Sequence, residues 1–485
     1  MKLKNIIILL IVSLMMLPSC NDDLNVENIS SVASTSMWKD KDDAEAAMYG
    51  LYNQFRSAFS WGYIFWGEYR TGLWGDGLIS ETSRWQVFQN QIPTNHTYAD
   101  WTDLYTTIND ANLLIKYTPS ISFKNETEKN TILANAYFVR AFCYYWIGRI
   151  WGDAPILLNG FESDKAEDLY PTRNPAVEVF KQVENDIHQA LSLMPSSINT
   201  RNLASPGGIN MLRADYDLWM YKVRNAGESY LNDAKVAIQT VLNDPNYSLE
   251  DDYSNIFDDN LGSEIIFAWS YIQDEYEGGF PTDYLVPSQY ISSEYINNPV
   301  TTGSHQQWEF LTPDYEAFLS SDPSDTRTKE TFETFYDPGK KATFQWINKY
   351  KGHWINDTRI FDSDIIVYRL ADAILFDAEI KMYQNDIVGA TKDLNVIARR
   401  AYKKENYYHN MMTADQLKES LVSERKKEFG AEGKLWWDFI RLGVAFKENP
   451  YLTGRENENN VLLWPISQSS INKNPNLKQT PGYDK

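Results

Sequence analysis

The residue types that carry covalent chemistry are few in this 485-residue chain, and their spacing is wrong for it. Its five histidines, His96, His188, His305, His353 and His409, share no metal-ligand interval and no HExxH pattern. No Gly-x-Ser-x-Gly elbow and no phosphate-cradling glycine loop occurs. Carboxylates are too numerous for one pair to stand out as a catalytic acid and base. "DDNLGSE", from Asp258 to Glu264, loosely resembles a calcium loop but lacks the ligand pattern and the length. The residues therefore support no catalytic role, no metal site and no cofactor. Aromatic stacking is the chemistry they do offer. "WGYIFWGEYRTGLWGDGLISETSRW", Trp61 to Trp85, holds four tryptophans, three tyrosine or phenylalanine rings and five glycines. A core stretch does not normally carry so much glycine, and these tryptophans keep no single helical spacing. Two readings stand: displaced core, or rings held out on loops for a ligand to stack against.

The amino end predicts an address. Lys2 and Lys4 precede an apolar run from Ile6 to Leu17, interrupted only by Ser13 and too short to span a bilayer. The run ends in "LPSC", which resembles a bacterial lipoprotein signal. In that pattern Cys20 becomes the first mature residue and carries diacylglyceryl and N-acyl chains. Each buried methylene of such chains contributes about 0.8 kcal/mol, and a stable anchor takes more than one chain. A plain signal peptide with a chance cysteine is the other reading. The acids of "CNDDL" resemble the surface-export tags of Bacteroidota lipoproteins, so the expected location is the outer membrane at the cell surface. Cys143 then has no disulfide partner and reads as a small buried apolar residue. A net charge of −21 repels phosphate backbones, which excludes nucleic acid as a partner and mildly disfavours strongly anionic ligands. The 16 Trp and 31 Tyr outnumber the 22 Phe, a balance suited to rings that are both apolar and wet.

Helical spacing is clear in "DDAEAAMYGLYNQF", "ADWTDLYTTINDANLLIKYT" and "NTILANAYFVRAFCYYWIGRIWG". "NPAVEVFKQVENDIHQALSLMP" is a further amphipathic helix, opened by Pro175 and closed by Pro195. "INMLRADYDLWMYKVRN" and "SYLNDAKVAIQTVLND" read as a pair joined at Gly227, and "DIIVYRLADAILFDAEIKMYQND" with "VGATKDLNVIARRAY" as another. The pairs resemble tetratricopeptide units, without a strict repeat of about 34 residues. Insertions at 61–100, 151–172 and 250–360 are rich in Gly, Pro, Asn and rings and weak in periodicity. "SEIIFAWSY" is the best strand. The expected fold is mostly α, with tetratricopeptide-like helix pairs as scaffold, a long irregular ligand-binding lobe and minor β. The expected organisation is a leader at 1–20, an amino-terminal region at 21–225 and a carboxy-terminal region at 226–485, the last two forming one globular unit.

Six segments in order resemble the SusD/RagB family of Bacteroidota outer-membrane nutrient-binding lipoproteins. They are "MWKDKDDAEAAMYGLY", "NAYFVRAFCYYWIGRIWGDAPIL", "SEIIFAWSY", "VYRLADAILFDAEI", "SERKKEFGAEGKLWWDFIRLG" and "LLWPISQSSINKNPNLKQTPGY". Ser467, where Pro is common, and Asp372, in place of Glu, are small departures. The resemblance implies four tetratricopeptide-like helix pairs on one face and lipidation at Cys20. It also implies a lid-like position over a TonB-dependent, SusC-like barrel transporter, delivering oligosaccharide or peptide without covalent chemistry.

A sugar ring has an apolar C–H face and a hydroxyl rim, so flat side chains with polar neighbours suit it; aromatic contacts add about 0.5–1.5 kcal/mol beyond burial. Glycine-rich loops let backbone approach such a ligand. The candidate ligand-binding residues are Trp61, Asp76, Trp85, Tyr284, Tyr290, Trp308 and Trp346, with Trp85 the foremost exposed ring because polar residues flank it. Asp76 has an equal reading as a turn-stabilising residue. Tyr276 and Trp354 are further rings, and Lys349, Lys351 and His353 further donors. Trp146, Trp151, Trp436, Trp437 and Trp464 lie in scaffold motifs and read as core. "SERKKEF" reads as a solvated face with internal ion pairs. The resulting reading is glycan capture for a transporter. Three alternatives stand: peptide binding on the same architecture, a secreted glycan-cleaving enzyme, and a structural seal that touches ligand weakly.

Overall fold

The acid-led segment folds as α1, Lys41–Phe59, capped by Asp40, whose carboxylate accepts the backbone N–H groups of Asp42 and Asp43 at 3.0 and 3.2 Å. Ala44, Met48, Leu51, Phe55 and Phe59 bury one face at intervals of three and four. The computed structural model describes residues 37–162, 169–258, 261–409 and 411–483. Cys20 and its leader lie outside those residues, as does part of "DDNLGSE".

Beyond α1 come two short helices, α2 (Gly62–Gly67) and α3 (Thr82–Phe88), then α4 (Thr102–Tyr117) and α5 (Glu126–Trp151). From Phe138 to Trp151 α5 is buried on every side, so it is the axial helix of the core rather than a surface helix. Cys143 sits inside it, where burial pushes the thiol up. Arg140 ties α5 to α6 (Ala176–Leu193) through a two-pronged contact with Asp186 at 2.9 and 2.7 Å. The chain turns at Gly227, φ 109°, between α7 (Pro206–Lys222) and α8 (Glu228–Leu242), which pack as a pair. A second pair, α9 (Leu370–Tyr383) and α10 (Ile387–Tyr402), is followed by α11 (Ala414–Phe429) and α12 (Leu435–Arg441). Strands form two-stranded pairs: β1 (Trp74–Asp76), β2 (Ile265–Trp269), β3 (Glu309–Leu311), β4 (Phe332–Asp337), β5 (Ala342–Ile347) and β6 (Ile365–Arg369). β1 runs antiparallel to β3, β2 to β6, and β4 to β5. "SEIIFAWSY" thus supplies a strand, buried along all five residues. The fold is mostly α with minor β. Trp146, Trp151, Trp436, Trp437 and Trp464 are all core.

Two readings change. "SERKKEF" is not a solvated face: Glu424, Arg425, Lys427 and Glu428 are buried, because their partners come from distant segments. Glu428 meets Arg327, Arg369 and Arg400. The glycine-rich stretch is also less irregular than its composition suggests, since α2 is a helix with all six residues buried. A Cβ at Gly67 would stand 1.9 Å from the Gly433 carbonyl oxygen, and one at Gly62 2.5 Å from the Trp66 ring. Gly67 permits contact between backbones, Gly62 makes room for the Trp66 ring, and the rings between them pack inward.

Glu68, just after α2, is fully buried and accepts four backbone N–H groups, those of Ala431, Gly433, Lys434 and Leu435, at 3.0, 3.1, 3.2 and 3.4 Å. It thereby caps α12 from a position more than 360 residues away. Burial pushes its carboxyl up to about 7 against the pull of those bonds. Glu68→Ala strands all four donors and is expected to lower unfolding free energy by about 4 kcal/mol or more in chemical denaturation. The pH dependence has a definite sign. The folded value lies above the ordinary 4.5, so this group stabilises fully below about pH 4.5 and ceases to as pH rises through about 7. The shift corresponds to roughly 3 kcal/mol. Glu68→Gln is expected to flatten the fall in urea midpoint between about pH 5 and 8; identical slopes in the two proteins would assign the titration elsewhere.

Candidate functional site

Glu81 caps α3, its carboxylate accepting the backbone N–H groups of Ser83 and Arg84, each at 3.0 Å. The cap sets Arg84 and Trp85 in the first turn. Trp85 is half-buried, edge-on to Phe88, and its Nε1 donates to Ser80 Oγ at 3.0 Å. Arg84 is the hub of the surrounding patch. Its Nε donates to Glu309 on β3 at 2.6 Å and its Nη2 to Asp283 at 2.5 Å, while Nη1 lies 3.4 Å from Glu81. The guanidinium carbon also stands 5.7 Å from the centre of the half-buried Trp308 ring and 5.5 Å from that of Phe65. One arginine thus joins the two candidate loop regions, which are more than 190 residues apart in sequence.

The backbone below is fastened in the same way. Asp76 pairs with Glu309 in the β1–β3 ladder, and beyond it Gly77 N–H donates to the Trp308 carbonyl at 3.1 Å and Ile79 N–H to that of Gln307 at 3.2 Å. A Cβ at Gly77 would meet the Gln307 carbonyl oxygen at 2.5 Å, which is why glycine follows Asp76. Tyr69 donates its hydroxyl to Glu309 from beneath, and His96 Nε2 lies 3.1 Å from the Ser83 carbonyl oxygen. Burial raises the Asp283 carboxyl, with Glu309 adding to it, and burial raises Glu309 as well, while Arg84 pulls both back down. Burial alone would lower Arg84, but Glu309, Tyr69 and Asp283 overcome that and hold it above the ordinary arginine range. His305, 53% exposed, places Nδ1 4.0 Å from Asp283 Oδ1.

The structure therefore sets Trp308 against Arg84, with Trp85 next to Arg84 in α3 and Asp76 opposite Glu309, the partner of Arg84, in the β1–β3 ladder. Two expected ligand rings are corrected. Tyr284 is 0% exposed: it stacks on Trp74 at 5.7 Å between centroids and donates to the Ala431 carbonyl at 3.3 Å. Trp346, 1% exposed, lies on β5 with its Nε1 donating to Asn348 at 3.1 Å. Neither offers a face to a ligand; both are floor. Lys349, expected as a donor to ligand, is likewise buried against Glu432 at 2.9 Å. Trp61 is half-buried ahead of α2, and Tyr290 is exposed on a helical turn at 288–290. Tyr276 lies under the Arg56 guanidinium, Trp354 under that of Arg359, Lys351 beside Asp258, and His353 3.0 Å from Asp362. Arg84, Asp283 and Glu309 escaped the sequence reading. Their one local signal is an arginine placed between a capping acid and a tryptophan. Among the described residues no group of three or more His, Cys, Asp or Glu is placed to hold a metal ion, and no helix is long and apolar enough to cross a membrane.

Residues 326–483 match the SusD family, and residues 73–206 match a family described as starch-binding, associating with the outer membrane. SusD-like protein P38 of Formosa agariphila is 25% identical over 99% of this chain and all of its own length. The starch-binding protein SusD of Bacteroides thetaiotaomicron is 35% identical over a segment covering 25% of this chain and 22% of that one. Among solved structures, NanU of B. fragilis superposes with a TM-score of 0.82 at 26% identity, covering 95% of this chain and all of that one. Together the two family matches, the SusD-like relatives and the SusD superfamily structures support a SusD-like family protein of Bacteroidota.

Proposed function

We propose that this chain is a cell-surface glycan-binding lipoprotein, anchored through Cys20, which captures oligosaccharide and passes it to a SusC-like TonB-dependent transporter. The observation that carries the binding reading is the patch itself, with two half-buried tryptophans, Trp308 against the Arg84 guanidinium and Trp85 the next residue along α3, and a guanidinium that the protein holds in place. Flat rings desolvate the C–H face of a sugar, and the neighbouring Asp76 and Glu81 carboxylates accept hydroxyl hydrogen bonds. The starch-binding description of the matched family and of the SusD relative supports the ligand class, and the same family description supports association with the outer membrane. The "LPSC" motif supports the anchor.

Calorimetric titration of the full chain in detergent against polysaccharides and mixed peptides tests this reading. Heat with a glycan is expected, and heat with peptides alone would move the chain to the peptide alternative. Trp85→Ala and Trp308→Ala are each expected to weaken the responding glycan about tenfold, the equivalent of about 1.4 kcal/mol. Trp346→Ala serves as the contrast, lowering the unfolding midpoint by removing a buried ring. Cys20→Ser is expected to abolish metabolic labelling with palmitate and to release the chain from the membrane fraction; retained labelling would refute the anchor.

A further inference from the structure

A surface that selects anionic sugars needs a cation whose N–H groups are free to take a carboxylate or sulfate in a paired, fork-like contact. Arg84 is the permanently charged cation of the patch beside Trp85 and Trp308, and each of its three nitrogens already faces a carboxylate. Nε faces Glu309, Nη2 faces Asp283 and Nη1 faces Glu81, and the side chain is only 12% exposed. One guanidinium thus answers three carboxylates. A fourth, Asp76, stands exposed at the rim, directly opposite Glu309 in the β1–β3 ladder. His305 is the other basic side chain here, and it too faces a carboxylate, Asp283, at 4.0 Å. The accessible carboxylates are Asp76, and Glu81 with 31% of its side chain exposed, beside the exposed imidazole of His305. Acceptors match the hydroxyl donors of an uncharged sugar and repel a uronate or sulfate ester.

We propose that this patch is a site for uncharged glycans, in which Asp76 and Glu81 turn away uronate- and sulfate-bearing chains while Arg84 acts as a positioning residue for the two rings. The inference rests on the glycan reading above. Arg84 fixes ring geometry through Glu309 and Asp283, and it is not available as an anion receptor.

The test is calorimetry on the full chain in detergent with amylopectin, laminarin, galactomannan and xylan as uncharged probes. Polygalacturonate, alginate and dextran sulfate are the anionic probes, and a mixed peptide pool is included. At low salt at least one uncharged probe is expected to bind in a Trp85-dependent manner, with the anionic probes at least tenfold weaker. In about 1 M salt, where the screening length falls to about 3 Å, that gap should narrow. The double variant Asp76→Asn with Glu81→Gln should raise the anionic-to-uncharged affinity ratio about fivefold at low salt, the size expected for two charges at about 8 Å in water. Trp85-dependent binding of an anionic probe as tightly as any uncharged one would overturn this inference and leave the glycan reading standing. An unchanged ratio in the double variant would overturn the rim carboxylates as its cause. Binding of peptides alone, or of no probe, would overturn the glycan reading and this inference with it.

Discussion

Arg369 neutralises three carboxylates shut away from water, and much of the fold is arranged to satisfy that group of charges. Its guanidinium reaches Glu264 at 2.9 Å, Glu428 at 2.6 Å and Glu432 at 2.9 and 3.0 Å. Arg400 pairs with Glu264 and Glu428, Arg327 with Glu424 and Glu428, and Lys349 with Glu432. Surrounded by cations, Glu432 is drawn down to about 2 in spite of burial, and Glu428 lower still. The contributors come from every quarter: Glu264 precedes β2, Lys349 follows β5, Arg369 ends β6, Arg400 sits in α10 and Glu428 in α11. Losing one member of such a group leaves the others charged and unpaired, which typically costs 3–5 kcal/mol. A helix shifted by one turn incurs that penalty several times over, so the cluster sets the register between the helical scaffold and the irregular lobe.

That register is passed on to the patch around Arg84 by short steps. Glu432 lies in the turn 430–434, whose N–H groups converge on Glu68. The next residue, Tyr69, bonds Glu309, and Glu309 holds Arg84. Arg70 then fastens the carboxy-terminal segment, donating to the carbonyls of Val461 and Leu462, each at 2.6 Å, with its face over the Trp436 ring. Three consecutive polar residues inside an aromatic stretch therefore make three separate long-range connections. Their burial explains the odd composition of 61–85: the rings and glycines of its first part fill space around those connections, and exposed residues begin at Asp76.

The parts of this fold that could be read from sequence are those set by near neighbours. α1, α6 and α8 have an apolar face at helical spacing and caps or prolines at their ends, and "SEIIFAWSY" has a β-branched and aromatic run. Trp85, expected as an exposed ring because polar residues flank it, is half-buried against the core. What failed was any feature decided by a distant partner. Tyr284 sits between "TD" and "LVP" and looks amphipathic, yet Trp74 and the Ala431 carbonyl, the latter 147 positions away, enclose it. "SERKKEF" has the composition of a wetted helix, and only the arrival of Arg327, Arg369 and Arg400 makes its burial affordable. Arg84 has no pattern that distinguishes it from a surface arginine until Asp283 and Glu309 are brought to it. Hydropathy records the cost of burying a charge, whereas a buried pair depends on two positions that periodicity never compares.

The way the two surface tryptophans are mounted bears on the strength of capture. On the proposed reading, Trp85, held by its indole N–H, and Trp308, held at its backbone and under Arg84, are both half-buried and would lose little further freedom when a ligand arrives. A fully buried tryptophan removes up to about 250 Å² from water, so a half-buried one has on the order of 100 Å² left to give. At about 25 cal/mol per Å² that is roughly 2.5 kcal/mol per ring, or about 5 kcal/mol for two. Association itself costs at least about 4 kcal/mol. The surplus, together with a few hydroxyl bonds of about 1 kcal/mol each, corresponds to millimolar binding of a single short sugar. Tight retention then requires a chain that touches the rings repeatedly, because linked contacts raise the effective concentration of each next one. On the proposed glycan reading, a surface built this way would hold polymers and release short fragments readily.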